Sequence, residues 1–286
     1  MTPSPAPGLA WLNGADERAV RDALRRVCAA RAWGAALVSA RPFADSGALL
    51  AASDAATAGL TAVGLAEAMA GHPPIGRPDP ADPASAREQR GMADASEALR
   101  AEVLDLTLAY QERFGHVFLI CATGLGGEEM RDALRARMGN TPDTEREVAR
   151  AELARINRLR LARLAESTAT VSTHILDTSA GRPAPGVAVT LSVRPGGSLS
   201  GGAEGGWTGH GTSRTDADGR CRDLPPLPGD AALARLSFAV EPYLSRSGTD
   251  TAFFPEVTVA FAVVPGEHYH VPLLLNPFGY SVYRGS

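Results

Sequence analysis

With 286 residues, 44 % apolar and 21 % charged positions and a net charge of -4, the chain is long enough for two ordinary globular domains. The acidic balance offers no broad basic field to phosphates, which argues against nucleic acid as a partner. The apolar runs are short and broken by charge or proline, so no transmembrane helix and no membrane partner are expected. The sequence has no lysine, all 28 basic residues being arginine, which excludes a side-chain Schiff base, a pyridoxal phosphate anchor and a P-loop. Cys28, Cys121 and Cys221 are far apart, odd in number and outside any CxxC, so no disulfide framework is implied. The first twenty residues lack the basic start and apolar core of a signal peptide, and a cytoplasmic protein is expected.

In chain order, the first part reads as helix. Glu17–Ala30, Ala56–Ala70, Ser96–Phe114 and Thr144–Leu164 space Ala, Leu, Val and Ile at three or four, the period of a helix with one buried face. Between them Gly71–Ser85 holds five prolines and reads as an ordered loop or a linker. After Glu166 the period changes to two. Thr168–Leu176, Gly186–Val193, Glu256–Val264 and His268–Leu275 alternate in Val- and Thr-rich strands, separated by turn signals at Gly181–Gly186, Asp216–Gly219 and Gly266. The expected architecture is an all-α domain over residues 1–166 and an all-β sandwich over residues 167–286. Gly196–Gly206 reads as a flexible hairpin tip or insertion.

Histidine is scarce, with six in the chain. His268 and His270 are two apart in a strand and project from one face, and His174 sits in the first strand of the same half. Such a set could bind zinc, act as a metal-free acid/base group, or simply hydrogen-bond on a sheet face. His72 lies in a proline-stiffened loop, and Glu88 and Gln89 follow at the start of a helix; alone, these are ordinary loop and surface residues. His116 adjoins an apolar run and reads as structural, and His210 as a loop residue.

Two resemblances sharpen these readings. Ser172–Asp177 (STHILD) and Gly181–Gly186 (GRPAPG) resemble the opening of transthyretin-like 5-hydroxyisourate hydrolases; Asp218–Arg220, Phe254–Val257 and His268–Leu274 resemble later parts of that family, and Tyr283–Ser286 (YRGS) resembles its closing tetrapeptide. The resemblance implies a sandwich that opens a strained cyclic ureide with water, without metal or cofactor. His174, Arg220, His270 and Ser286 become the catalytic residues, with His268 and Tyr283 in contact with substrate. It also implies a homotetramer assembled through this domain, with sites at subunit interfaces.

In the first half, Arg41–Phe43, His72–Gly76 (HPPIG), Ser85–Gln89 (SAREQ), Tyr110, Phe114–Gly124 (FGHVFLICATG), Arg137–Asn140 (RMGN) and Ile156–Leu161 (INRLRL) resemble 2-oxo-4-hydroxy-4-carboxy-5-ureidoimidazoline (OHCU) decarboxylase. This implies a cofactor-free catalytic set of His72, Glu88 and Arg160, with Pro73, Gln89, Phe118, Ile120 and Ala122 lining a ureide pocket. By these resemblances the second half converts 5-hydroxyisourate into OHCU and the first half converts OHCU into (S)-allantoin, so chain order reverses reaction order. Two other readings stand beside this one: a hydrolase fused to a non-catalytic helical assembly domain, and a ureide-binding carrier of transthyretin type.

Overall fold

Helix forms in the first half wherever an alanine- and leucine-rich segment meets a residue able to cap it. In the computed structural model, which describes residues 6–77, 83–196, 206–246 and 253–285, these helices are α1 (Pro7–Gly14), α2 (Glu17–Val27), α3 (Arg31–Ser39), α4 (Ser46–Ala58), α5 (Ala62–Ala70), α6 (Pro83–Glu88), α7 (Glu97–Phe114), α8 (Gly127–Arg137) and α9 (Pro142–Glu166), with a 3-10 turn at Arg90–Met92. Asp45, Thr61 and Ser96 cap α4, α5 and α7 by accepting from the backbone N–H groups of Ala48, Gly64 and Leu99. Gly115 ends α7 in the left-handed region (φ 74°), a conformation glycine adopts without a Cβ penalty.

The sequence pattern over Ala56–Ala70 does not form one helix. Gly59 stops α4, Thr61 starts α5, and the two axes are bent by 115°. One guanidinium nitrogen of Arg150 donates to the carbonyls of Thr57, Ala58 and Leu60 at 3.0, 3.4 and 2.9 Å. The freed carbonyls at the break thus have a cationic partner. Among the described residues no single helix is long and apolar enough to cross a membrane.

Contacts divide the chain into one unit of Arg21–Ala162 and another composed of the residues up to Val20 together with the chain from Arg163 onward. In the second unit, β1 (Thr170–Asp177), β2 (Arg182–Pro183), β3 (Ala188–Pro195), β4 (Thr208–Arg214), β5 (Arg220–Cys221), β6 (Ala231–Ala239), β7 (Glu256–Ala262), β8 (His268–His270), β9 (Leu273–Asn276) and β10 (Gly279–Val282) make two sheets, with α10 (Glu241–Arg246) before β7. One sheet runs β4-β3-β6-β7; the other runs β10-β9-β1-β2, with β5 and β8 also paired to β1. Val171 and Ile175 of β1, Val189 and Leu191 of β3, Leu236 and Phe238 of β6 and Leu273 and Leu275 of β9 fill the space between them. On β1 this leaves Thr170, Ser172 and His174 on the opposite face.

The expected strand over His268–Leu275 is two strands, because Pro272 has no N–H to continue the ladder. β6, AALARLSFA, has no β-branched residue to mark it as a strand in the sequence, and His210 is not in the loop that the sequence suggests. His210 lies in β4, with Nε2 2.8 Å from the Pro226 carbonyl. Most of Gly196–Gly206 lies outside the described residues.

Helix α1 belongs to the sandwich unit. Trp11 is buried and its indole N–H donates to the Val263 carbonyl at 3.1 Å, while a Cβ at Gly8 would collide with the carbonyl of Leu164. Trp11→Ala should therefore cost the sandwich unit about 3–5 kcal/mol, the usual penalty for emptying a buried tryptophan site. Denaturant unfolding followed by circular dichroism of the β-sheet signal checks it, and an unchanged midpoint would show that α1 is not part of the unit's core.

Candidate active sites

The helical unit holds a partly open pocket of about 330 Å³, the solvent-filled mouth included. His72, Glu88 and Arg160 line it, as do Pro73, Gln89, Phe118, Ile120 and Ala122. Ile75, Ser85, Leu119 and Ile156, which the sequence reading did not single out, complete the wall. His72 sits just past α5, held by its backbone N–H to the Met69 carbonyl at 3.0 Å. Burial, then the positive charge of Arg160, push its imidazole down to about 4, so the ring is neutral at physiological pH.

Arg160, on α9, grips Glu88 with both arms of its fork: Nε donates to one carboxylate oxygen at 2.8 Å and a terminal nitrogen to the other at 2.7 Å. Its remaining terminal nitrogen donates to the carbonyls of Arg26 and Val27 at 3.3 and 3.2 Å. Such a bidentate pair, closed off from water, fixes both partners in orientation. Gln89 turns its amide to the HPPIG loop, accepting from Gly76 N–H at 2.9 Å and donating to the Pro74 carbonyl at 3.3 Å. It shapes the loop that carries His72.

Segment 118–122 is pinned from outside the cavity. Arg137 donates to the Leu119 carbonyl at 2.7 Å, and Glu152 accepts from the Cys121 N–H at 2.8 Å. Phe118, Leu119, Ile120 and Ala122 line the pocket, and the Ala122 carbonyl accepts from the Leu125 N–H at 3.0 Å, closing the turn that follows. Arg137 is itself paired with fully buried Glu145, which also accepts from the Tyr110 hydroxyl and from Asn140 at 2.7 Å. The Arg137 guanidinium lies 4.5 Å from the Phe118 ring centroid. The Tyr110 and RMGN motifs thus act as the support of the pocket wall. His116, half-buried, packs edge-on to Tyr110 at 5.6 Å.

In the sandwich unit, β1 gathers the second site. Pairing with β5 sets His174 opposite Arg220, and parallel pairing with β8 sets Thr170 opposite His268 and Ser172 opposite His270. Both ring nitrogens of His268 meet hydroxyls, Nδ1 at Thr170 (2.9 Å) and Nε2 at Ser172 (2.8 Å). The Ser172 hydroxyl also reaches His270 Nδ1 at 2.9 Å. Burial, then the charge of Arg220, lower the His270 pKa. His174 Nε2 is buried and has no hydrogen-bond partner among the described residues.

The tail runs alongside, Gly285 N–H donating to the His270 carbonyl at 2.9 Å, and a Cβ on Gly285 would come within 2.6 Å of the His270 ring. Tyr283 is half-exposed, and Ser286 lies outside the described residues. Among the described residues no three His, Cys, Asp or Glu side chains are grouped to hold a metal ion. Ser172 was missed in the sequence, although its i,i+2 spacing to His174 already places both on one strand face.

Fold and sites together describe a protein with two separate small-molecule centres, one helical and one at a sheet face. A family model for OHCU decarboxylase matches residues 13–162, and one for the HIUase/Transthyretin family matches residues 171–285. The uric acid degradation bifunctional protein TTL of Arabidopsis thaliana is 33 % identical over 281 residues, covering 77 % of this chain and 84 % of its own. The 5-hydroxyisourate hydrolase of Salmonella typhi is 44 % identical over 128 residues, 43 % of this chain and 85 % of that protein. A solved OHCU decarboxylase, crystallised in the presence of (S)-allantoin, covers 50 % of this chain and 96 % of its own at 26 % identity and a TM-score of 0.46. The chain belongs to the OHCU decarboxylase family and carries a HIUase/transthyretin-family domain behind it.

Burial alone would push the Glu145 carboxyl up, but hydrogen bonds from Arg137, Tyr110 and Asn140 hold it below the ordinary glutamate value. A depressed folded-state value means stability that is present at neutral pH and lost as pH falls below the ordinary glutamate range. Glu145→Gln should leave Arg137 buried and unpaired, costing about 3–5 kcal/mol at neutral pH, and should flatten the acid limb of the stability curve. Urea titrations of both proteins across the acidic range test both effects.

Proposed function

We propose that the chain performs two successive steps in urate degradation: the sandwich unit hydrolyses 5-hydroxyisourate to OHCU, and the helical unit decarboxylates OHCU to (S)-allantoin. One observation carries the reading: residues implied by two independent resemblances fall on two compact constellations, one around the His72 cavity and one along β1.

In the hydrolytic step water adds to a ring carbonyl, its proton passing to a neutral histidine. The ring C–N bond then breaks and the proton goes to the departing nitrogen. His270 is the base. Arg220, opposite His174 on β5, holds the oxyanion. His174 Nε2, buried and unpartnered, is placed to orient the substrate. Tyr283 closes the site in a tetramer, an assembly supported by the exposed aromatic side chains of Phe278, Tyr280 and Tyr283.

In the second step the C–C bond to the carboxylate breaks and carbon dioxide leaves; the electron pair forms a C=C bond to the neighbouring carbon while the C=N pair moves onto nitrogen, which takes a proton from solvent. The hydroxyl on the same carbon becomes a carbonyl, and His72 takes its proton. An imidazolium with a pKa near 4 is a strong enough acid to return that proton to the neighbouring carbon from one face. Glu88, both oxygens engaged by Arg160, holds the arginine in place. Arg160 supplies positive charge at the wall for an anionic substrate, and the backbone of residues 118–122 meets the ureide.

Freshly generated 5-hydroxyisourate, followed by ultraviolet absorbance and by the circular dichroism of the allantoin formed, tests the reading. The wild-type chain should accelerate the loss and give dichroic (S)-allantoin; racemic product would remove the decarboxylase, and no acceleration would remove the hydrolase. His72→Gln should slow decarboxylation by about 10²–10⁴-fold and give racemic allantoin with hydrolysis untouched. His270→Ala should slow only the first step. Because His72 acts as a neutral base, kcat/KM for OHCU should hold from neutral pH downward and fall as pH drops through about 4, which a stopped-flow pH series reads directly.

A further inference from the structure

We infer that Ser172 is a positioning residue of the hydrolytic site: its hydroxyl, bonded at once to His268 and His270, holds His270 in the tautomer that offers Nε2 to water. The inference rests on the hydrolase reading of the sandwich unit.

The geometry is a chain of four polar groups. Thr170 and Ser172 share one face of β1, and the parallel register of β8 sets His268 and His270 opposite them. The links are Thr170 Oγ1 to His268 Nδ1 at 2.9 Å, His268 Nε2 to Ser172 Oγ at 2.8 Å, and Ser172 Oγ to His270 Nδ1 at 2.9 Å. A hydroxyl has one proton, so Ser172 can donate to one ring nitrogen and must accept from the other.

Two proton arrangements satisfy that rule. In the first, His270 Nδ1–H donates to Ser172, Ser172 donates to His268 Nε2, and His268 Nδ1–H donates to Thr170. In the second every direction reverses, and His270 carries its proton on Nε2.

The surroundings select the first. Arg220 from β5 and Arg222 beyond it bring positive charge toward the His270 ring, which His174 from β1 and His268 from β8 also face. A lone pair on Nε2 is better placed in that field than an N–H dipole. The tail adds a steric constraint, since Gly285 packs directly on the edge of the His270 ring. Ser172 is buried, so water does not compete for its hydroxyl. As His270 takes the proton from water, the same hydroxyl oxygen accepts from the imidazolium and stabilises it.

The full-length chain provides the test. Ser172→Ala should lower kcat for hydroxyisourate hydrolysis by about 10- to 100-fold, the usual loss when the partner that orients a functional histidine is removed. It should also move the acid limb of kcat/KM to lower pH, because the imidazolium loses its acceptor. Ser172→Thr keeps the hydroxyl on a residue at home in a strand and should restore both. In the unmutated protein, ¹⁵N spectra of the imidazoles at neutral pH should show the His270 proton on Nδ1. A wild-type rate and acid limb in Ser172→Ala, no rescue by threonine, or a proton found on Nε2 would each overturn the inference. If the alanine variant fails to fold, the tautomer measurement on the intact chain still decides it. If the unmutated chain fails to hydrolyse hydroxyisourate, the hydrolase reading falls, whereas the tautomer reports on the hydroxyl chain independently.

Discussion

A buried guanidinium has to be met by acceptors on every side, and the helical unit is arranged around meeting one. Arg160 on α9 takes its acceptors from the Glu88 carboxylate at the end of α6 and from the carbonyls of Arg26 and Val27 in the last turn of α2. Three elements distant in sequence are thereby held at fixed positions around one side chain. Burial keeps His72 neutral, and the charge that holds Glu88 adds to it by opposing protonation of the imidazole. The cost of burying an ion pair is recovered as orientation, because removing either partner would leave the other charge stranded.

The sandwich unit solves a comparable problem with a strand. β1 pairs with β2, β5, β8 and β9, so its outward face is where residues from separate segments meet. A one-residue slip of β1 would turn Ser172 and His174 inward and expose Val171 and Ile175. The apolar inner face therefore fixes the register that the polar outer face needs. Asp177, at the end of the strand, is buried and accepts from the Tyr243 hydroxyl at 2.9 Å and from the Ser179 and Ala180 N–H groups. It anchors the turn that follows.

Much of this was legible beforehand, for physical reasons. Periods of 3.6 and 2 reflect burial on one face, so the helical and sheet halves could be read from spacing. His72, Glu88 and Arg160 were legible only through resemblance, because their meeting depends on helix packing that no local pattern encodes. The break between α4 and α5 was hidden for the same reason: Gly59 alone does not stop a helix, but Gly59 with a cap at Thr61 and an arginine from α9 does. Ser172 escaped notice because its partners arrive from a strand almost a hundred residues later. Glu145 looked like any glutamate on a charged helix face until Tyr110, Arg137 and Asn140 closed over it.

The membership of α1 in the sandwich unit has a consequence for how the protein comes into being. The unit's first helix leaves the ribosome long before any of its strands, while the helical unit that interrupts it in sequence is still being made. Until Val263 has emerged, the Trp11 indole N–H lacks the carbonyl it donates to in the folded unit, and the ring must wait in solvent. Vectorial synthesis can complete the intervening helical unit first, but the sandwich unit can be sealed only when α1 and the strands that follow α9 are brought together.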